Sequence, residues 1–170
     1  MRAILPTFCA LTCAVSAVAG ECRSAARPLL LSPQPEPAAL EGARRVCQAE
    51  ADRGDADALY VLALFDLGLG GAWQPDHAIP RIMDAAGRGV AEAQYWLAWQ
   101  YEAGPLMPHD QALALDWYRR AANGDHRLAI ARLAQAYETG ELGLPRDPLL
   151  AAEYKARQQQ CLRSQTDPPG

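Results

Sequence analysis

The sequence predicts an all-α chain, an α-solenoid of antiparallel helix pairs with about three repeats. Three observations predict it. First, one set of residues recurs at a nearly constant interval. Gly54, Ala56, Ala58, Tyr60 and Leu62 return thirty-five positions later as Gly89, Ala91, Ala93, Tyr95 and Leu97. Ala93, Leu97, Ala98, Tyr101 and Gly104 return thirty-six positions after that as Ala129, Leu133, Ala134, Tyr137 and Gly140. Second, Ala93, Leu97 and Tyr101 stand four apart, on one face of a helix. Third, glycines and aspartates punctuate each copy. Gly104 and Gly140 end the first helices, Gly89 and Gly124 end the second, and Asp110 and Asp147 stand where a second helix needs an N-cap. One period leaves room for two helices of about a dozen residues and two short loops.

Taken in order, the chain opens with an apolar run from Ala3 to Ala19 behind a single Arg2, closing on the small residues Ala17-Val18-Ala19. This is the pattern of a secretory signal peptide over 1–19, cut after Ala19, and it predicts a periplasmic protein with no integral membrane segment in the mature chain. Residues 20–40 carry prolines at 28, 33, 35 and 37 and read as an extended tether. A repeat array follows over 41–163: a half-repeat at 41–54 that resembles a second helix without its first, then repeats at 55–89, 90–125 and 126–160. Residues 164–170 read as a disordered tail. A second alanine series, Ala43, Ala78, Ala114 and Ala151, marks the second helices, and the pairs Ala85-Ala86 and Ala121-Ala122 let helix backbones approach closely.

Composition narrows the function. Half of the 170 residues are apolar, enough for a continuous core, and the formal net charge is −4. A negative chain without a basic stripe or a zinc-finger spacing does not suit nucleic acid. His77, His109 and His126 fall in or beside loops, with no paired spacing for a metal, and the chain has no phosphate loop or nucleophile elbow. The sequence therefore predicts neither cofactor nor catalysis. Asp52, Asp55 and Asp57 cluster at a helix boundary, where carboxylates serve the helix end.

The mature chain keeps Cys22, Cys47 and Cys161. Cys47 and Cys161 fall on second helices three copies apart, about 25 to 30 Å if neighbouring helices pack 8 to 10 Å apart. A disulfide needs Cα atoms within about 7 Å. Cys22, close by in sequence, is the expected partner of Cys47, and Cys161 is expected to stay reduced.

"AEAQYWLAWQYEAG" followed by "DQALALDWYRRAANG" resembles the Sel-one-like repeat, a relative of the tetratricopeptide repeat. Ala91 to Gly124 match that pattern almost throughout. Arg127 to Arg157 match up to Tyr154, and Ala56 to Gly89 match at both ends around the irregular loop "GLGGAWQPDH". The resemblance implies a right-handed superhelix whose concave surface binds protein or peptide. It also implies envelope uses: a scaffold in an envelope complex, or an immunity protein against a secreted lipase effector.

Projected on a helix, Ala93, Leu97 and Tyr101 form the packed stripe, while Glu92, Tyr95 and Trp99 fall on the opposite side. Those three, with Arg132 and Gln135 of the next first helix, are the expected protein-binding residues, and Trp73 in the irregular loop is an expected contact. The reading is a non-catalytic, periplasmic protein-binding scaffold or adaptor. A hydrolase acting on cell-wall or lactam substrates is the alternative from a different class.

Overall fold

The computed structural model describes residues 20–69, 71 and 73–166. The expected signal peptide and the last four residues of the expected tail lie outside them. Among the described residues eight helices follow in order: α1 (Glu21–Leu30), α2 (Pro37–Asp52), α3 (Ala56–Asp66), α4 (Pro75–Gly87), α5 (Ala91–Ala103), α6 (Gln111–Asn123), α7 (Arg127–Thr139) and α8 (Pro148–Thr166). Each helix packs on its neighbours in sequence, and α1 also touches α3. That is the connectivity of a solenoid, in which contacts stay between adjacent units.

The punctuation works as the sequence predicts. Asp110 accepts hydrogen bonds from Ala112 N and Leu113 N at the start of α6, and Asp147 accepts from Leu149 N and Leu150 N at the start of α8. Asp55 caps α3 through Ala58 N at 2.8 Å. Gly140 closes α7 with φ of 82°, a conformation that a side chain would oppose. Gly124 is needed for a different reason. A Cβ there would come within 2.9 Å of Ala91 Cβ, so the end of α6 rests directly on the start of α5.

The N-terminal region departs from the expected tether. Residues 21–30 form α1, although Pro28 lies inside it. The prolines obscured a helical stripe: Cys22 and Ala26, one turn apart, are buried, and Ala25 and Leu29 pack beside them. Pro37 occupies the first turn of α2, where its missing N–H costs nothing. The start of α1 lies against the end of α2, so the two run antiparallel. Cys22 and Cys47 form a disulfide with Cα atoms 4.5 Å apart. The buried Glu50 of α2 accepts hydrogen bonds from the backbone amides of Glu21 and Cys22, and so caps a helix that has no side-chain cap of its own. The half-repeat at 41–54 thus has a first helix after all, and it is α1. At the other end, α8 continues through Thr166 into the first residues of the expected tail.

Three hydrophobic clusters follow one another along the array. The first joins α1, α2 and α3 around Leu62 and Phe65. The second joins α3, α4 and α5 around Ile82 and Leu97, and the third joins α5 to α8 around Tyr118, Ile130 and Leu133. Cys161 packs half-buried against the third. One ionic tie crosses the core. Asp66, fully buried at the end of α3, is paired with Arg44 of α2 at 2.8 Å and with Arg81 of α4. A buried carboxylate held by two cations on the flanking second helices fixes how those helices sit around α3. No helix among the described residues is long and apolar enough to cross a membrane.

Candidate functional site: the face of the first helices

The first helices α1, α3, α5 and α7 each bury one stripe and leave another open. Repeat spacing aligns the open stripes. Asp57, Tyr60 and Leu64 of α3 correspond to Glu92, Tyr95 and Trp99 of α5, and those to Leu128, Ala131 and Gln135 of α7; Val61, which is buried, corresponds to Trp96 and Arg132 on the flank. The packed stripe behind them is buried: Ala93 and Leu97 on α5, Ala129 and Leu133 on α7.

On this face a cleft of about 460 Å³ opens between α1, α3 and α5. Arg23, Arg27 and Leu30 line it from α1, Tyr60 and Leu64 from α3, and Glu92 from α5. Arg23 spans two repeats, pairing with Asp57 of α3 and with Glu92 of α5 at 3.2 Å. Burial would raise the Glu92 carboxyl, but hydrogen bonds from its own backbone and from Arg23, with the Arg23 charge, hold it below the ordinary carboxylate range. Burial, reinforced by the Glu92 charge, pushes the Tyr60 hydroxyl up to about 12.

Aromatic and ionic contacts carry on from Glu92 along the same face. Tyr95 stacks on His126 with ring centroids 4.4 Å apart and meets Tyr118 at 5.8 Å. His126 caps α7, its Nδ1 accepting from Ala129 N at 3.4 Å. Burial lowers the His126 pKa, opposed by the Glu92 charge and helped by Arg127, so the ring keeps the neutral form that this acceptor role requires. The Tyr118 hydroxyl donates to Glu102 at 2.6 Å, and Arg132 binds both Glu102 and Glu141. Burial would raise Glu102, but hydrogen bonds from Arg132 and Tyr118 and the Arg132 charge keep it ionised below the usual range.

The expected binding residues thus divide into two groups. Trp99, 43% exposed, and Gln135 stand open on this face at the places that match Leu64 in the cleft. Glu92, Tyr95 and Arg132 lie on it too but are engaged: Glu92 with Arg23, Tyr95 with His126, and Arg132, whose side chain is only 18% exposed, with two carboxylates. They join α1 to α5, α5 to α7, and α7 to the loop after it. Trp73 is exposed in the α3–α4 connection, where it forms an isolated antiparallel bridge with Leu67. Sequence reasoning missed Arg23, Arg27 and Leu30 because it did not recognise α1 as a helix. It could have found Tyr60, which precedes Tyr95 by one repeat. Among the described residues, no group of three or more His, Cys, Asp or Glu side chains is arranged to hold a metal ion.

The sequence profile described as "Sel1 repeat" matches residues 91–126 and 127–154. The crystal structure of a Sel1 repeat protein from Oxalobacter formigenes is 31% identical, with a TM-score of 0.62, over 71% of this chain and 95% of that one. The chain belongs to the Sel1 repeat family. A second crystal structure, of c5321, described as a protective antigen present in uropathogenic Escherichia coli strains and displaying an SLR fold, is 28% identical with a TM-score of 0.62. That alignment covers 71% of this chain but only 26% of c5321, a much longer protein. Sel1 repeats are in general scaffolds for protein interaction, and are typically non-catalytic. In this member, the two matched repeats occupy α5 to α8, while α1, with its disulfide, lies outside them.

Proposed function

We propose that this Sel1 repeat protein is a periplasmic, non-catalytic adaptor that holds a protein partner against the face of its first helices. The observation that carries the reading is Trp99. A large aromatic side chain stays 43% exposed at the middle of the array, on the stripe that continues the wall of the cleft, while Leu97 two residues away is 1% exposed. Aromatic anchors of this kind dominate protein-binding surfaces. The apolar leader with its Ala17-Val18-Ala19 ending supports export. The disulfide between Cys22 and Cys47 suits an oxidising compartment.

The test is capture of a partner from an envelope extract by wild-type protein and by Trp99→Ala, with both melting curves in hand. A partner held by the wild type and weakened by more than about 2 kcal/mol in a folded Trp99→Ala variant supports the reading. Equal capture by both removes Trp99 as the anchor. The finer form of the proposal is immunity against a secreted lipase effector. Recovery of a lipase, inhibited on mixing, supports that form; recovery of components of an envelope complex supports scaffolding instead. Cell fractionation with N-terminal sequencing tests the address, since a retained Met1 in membranes overturns export.

A further inference from the structure

We propose that the cleft between α1, α3 and α5 is a docking subsite for an apolar segment of the partner that carries a carboxylate. This deepens the protein-binding reading and rests on it. The cleft leaves hydrogen-bonding groups over. Its one carboxylate, Glu92, is already engaged by Arg23, and Arg23 is also held by Asp57. Two donors remain. Arg27 is exposed on the cleft wall with no ion pair or hydrogen bond among the described residues, and the Tyr60 hydroxyl has no hydrogen-bond partner among them. Tyr60 stays protonated throughout the physiological range, so it is a donor at any working pH.

Around these donors the lining is apolar. Leu30 is 46% exposed, and Leu64 and Val61 lie beside it. A cleft with unpaired donors, an Arg27 guanidinium that no carboxylate among the described residues pairs with, and leucine walls is complementary to a segment that brings a carboxylate together with an apolar side chain. A guanidinium recognises a carboxylate through paired donors, which sets direction as well as affinity. The wall bearing Arg27 is α1, which lies outside the two matched Sel1 repeats and is fixed in place by the disulfide and the Glu50 cap.

The experiment titrates the oxidised protein into fluorescein-labelled peptides and reads anisotropy up to about 1 mM. Three probes of equal length and leucine content are used: an amidated peptide with glutamates between the leucines, an amidated peptide with lysines there, and a neutral peptide with a free C-terminal carboxylate. The expected result is at least tenfold tighter binding of the glutamate probe than of the lysine probe. The third probe tells a side-chain carboxylate from a chain terminus, and tenfold preference for either carboxylate source supports the subsite. Arg27→Glu, at an exposed position, is expected to erase the preference while leaving the melting curve unchanged, and Leu30→Ser is expected to weaken the acidic probe severalfold. Equal binding of acidic and basic probes, binding of neither, or an undiminished preference in Arg27→Glu overturns the proposal. Its failure is distinguishable from failure of the adaptor reading: partner capture that still depends on Trp99 leaves the adaptor standing without this subsite.

Discussion

Replacing Cys22 and Cys47 together by alanine is predicted to undock α1 while leaving the Sel1 repeats folded. The magnitude follows from how little else holds this helix. α1 has ten residues, shorter than the helices that survive alone in water. It buries only Cys22 and Ala26, half-buries Ala25 and Leu29, and donates two backbone hydrogen bonds to Glu50. Its ion pairs through Arg23 are about half exposed, and such pairs contribute at most about 1 kcal/mol. The disulfide closes a loop with a sequence separation of 25, which in the chain-entropy account restrains the undocked state by about 3 to 4 kcal/mol. Losing it multiplies the undocked population by a few hundredfold, at about 1.4 kcal/mol per decade. Both cysteines are buried, so alanine introduces no polar group into the cluster. Hydrogen exchange read by mass spectrometry gives the answer segment by segment: amides of 21–30 lose protection by that factor, while those of α5 to α8 keep theirs. Unchanged protection in α1 would show that packing and the Glu50 cap suffice. Equal loss across α5 to α8 would refute local undocking and make the whole array one cooperative unit.

Three further outcomes are expected. Leu97→Ala removes a side chain that is 1% exposed between α3, α4 and α5, costing about 2 to 5 kcal/mol. For a chain of this size each kcal/mol lowers Tm by about 2 to 4 °C, read by circular dichroism. Asp66→Ala leaves Arg44 and Arg81 facing an empty place in the core and is expected to cost about 3 to 5 kcal/mol in denaturant titration; a loss below about 1 kcal/mol would mean that water already screens the pair. His126 gives a pH signature. Its folded pKa is depressed, so its contribution is fully present above its unfolded value of about 6.5 and is lost as pH falls below that. His126→Asn keeps an N-cap acceptor without a titrating ring, and should flatten stability between about pH 7 and pH 5. An unchanged slope assigns the acid sensitivity elsewhere.

How much of this protein was legible in its sequence follows from how local each feature is. The recurring alanines, leucines and tyrosines, the terminal glycines, and Asp110 and Asp147 act within one helix or one turn. Their spacing alone therefore determined the helix pairs and the stacked architecture, and left Trp99 on an open face. The pairing of Cys22 with Cys47 also followed, because distance along a solenoid scales with sequence separation. Tertiary structure decided what depends on partners from other helices. Residues 21–30 are helical because Glu50 of α2 caps them and their cysteine and alanine stripe finds a neighbour, neither of which is visible in a segment interrupted by Pro28. Arg132 and Glu92 read as open recognition groups by position, yet each is engaged by opposite charge from another element, Glu92 by Arg23 of α1 and Arg132 by Glu102 of α5 and by Glu141. Among the described residues no carboxylate pairs with Arg27. Side-chain reach across the first-helix face, set by how neighbouring repeats lie against each other, determines which charges are used up in holding the array and which remain for a partner.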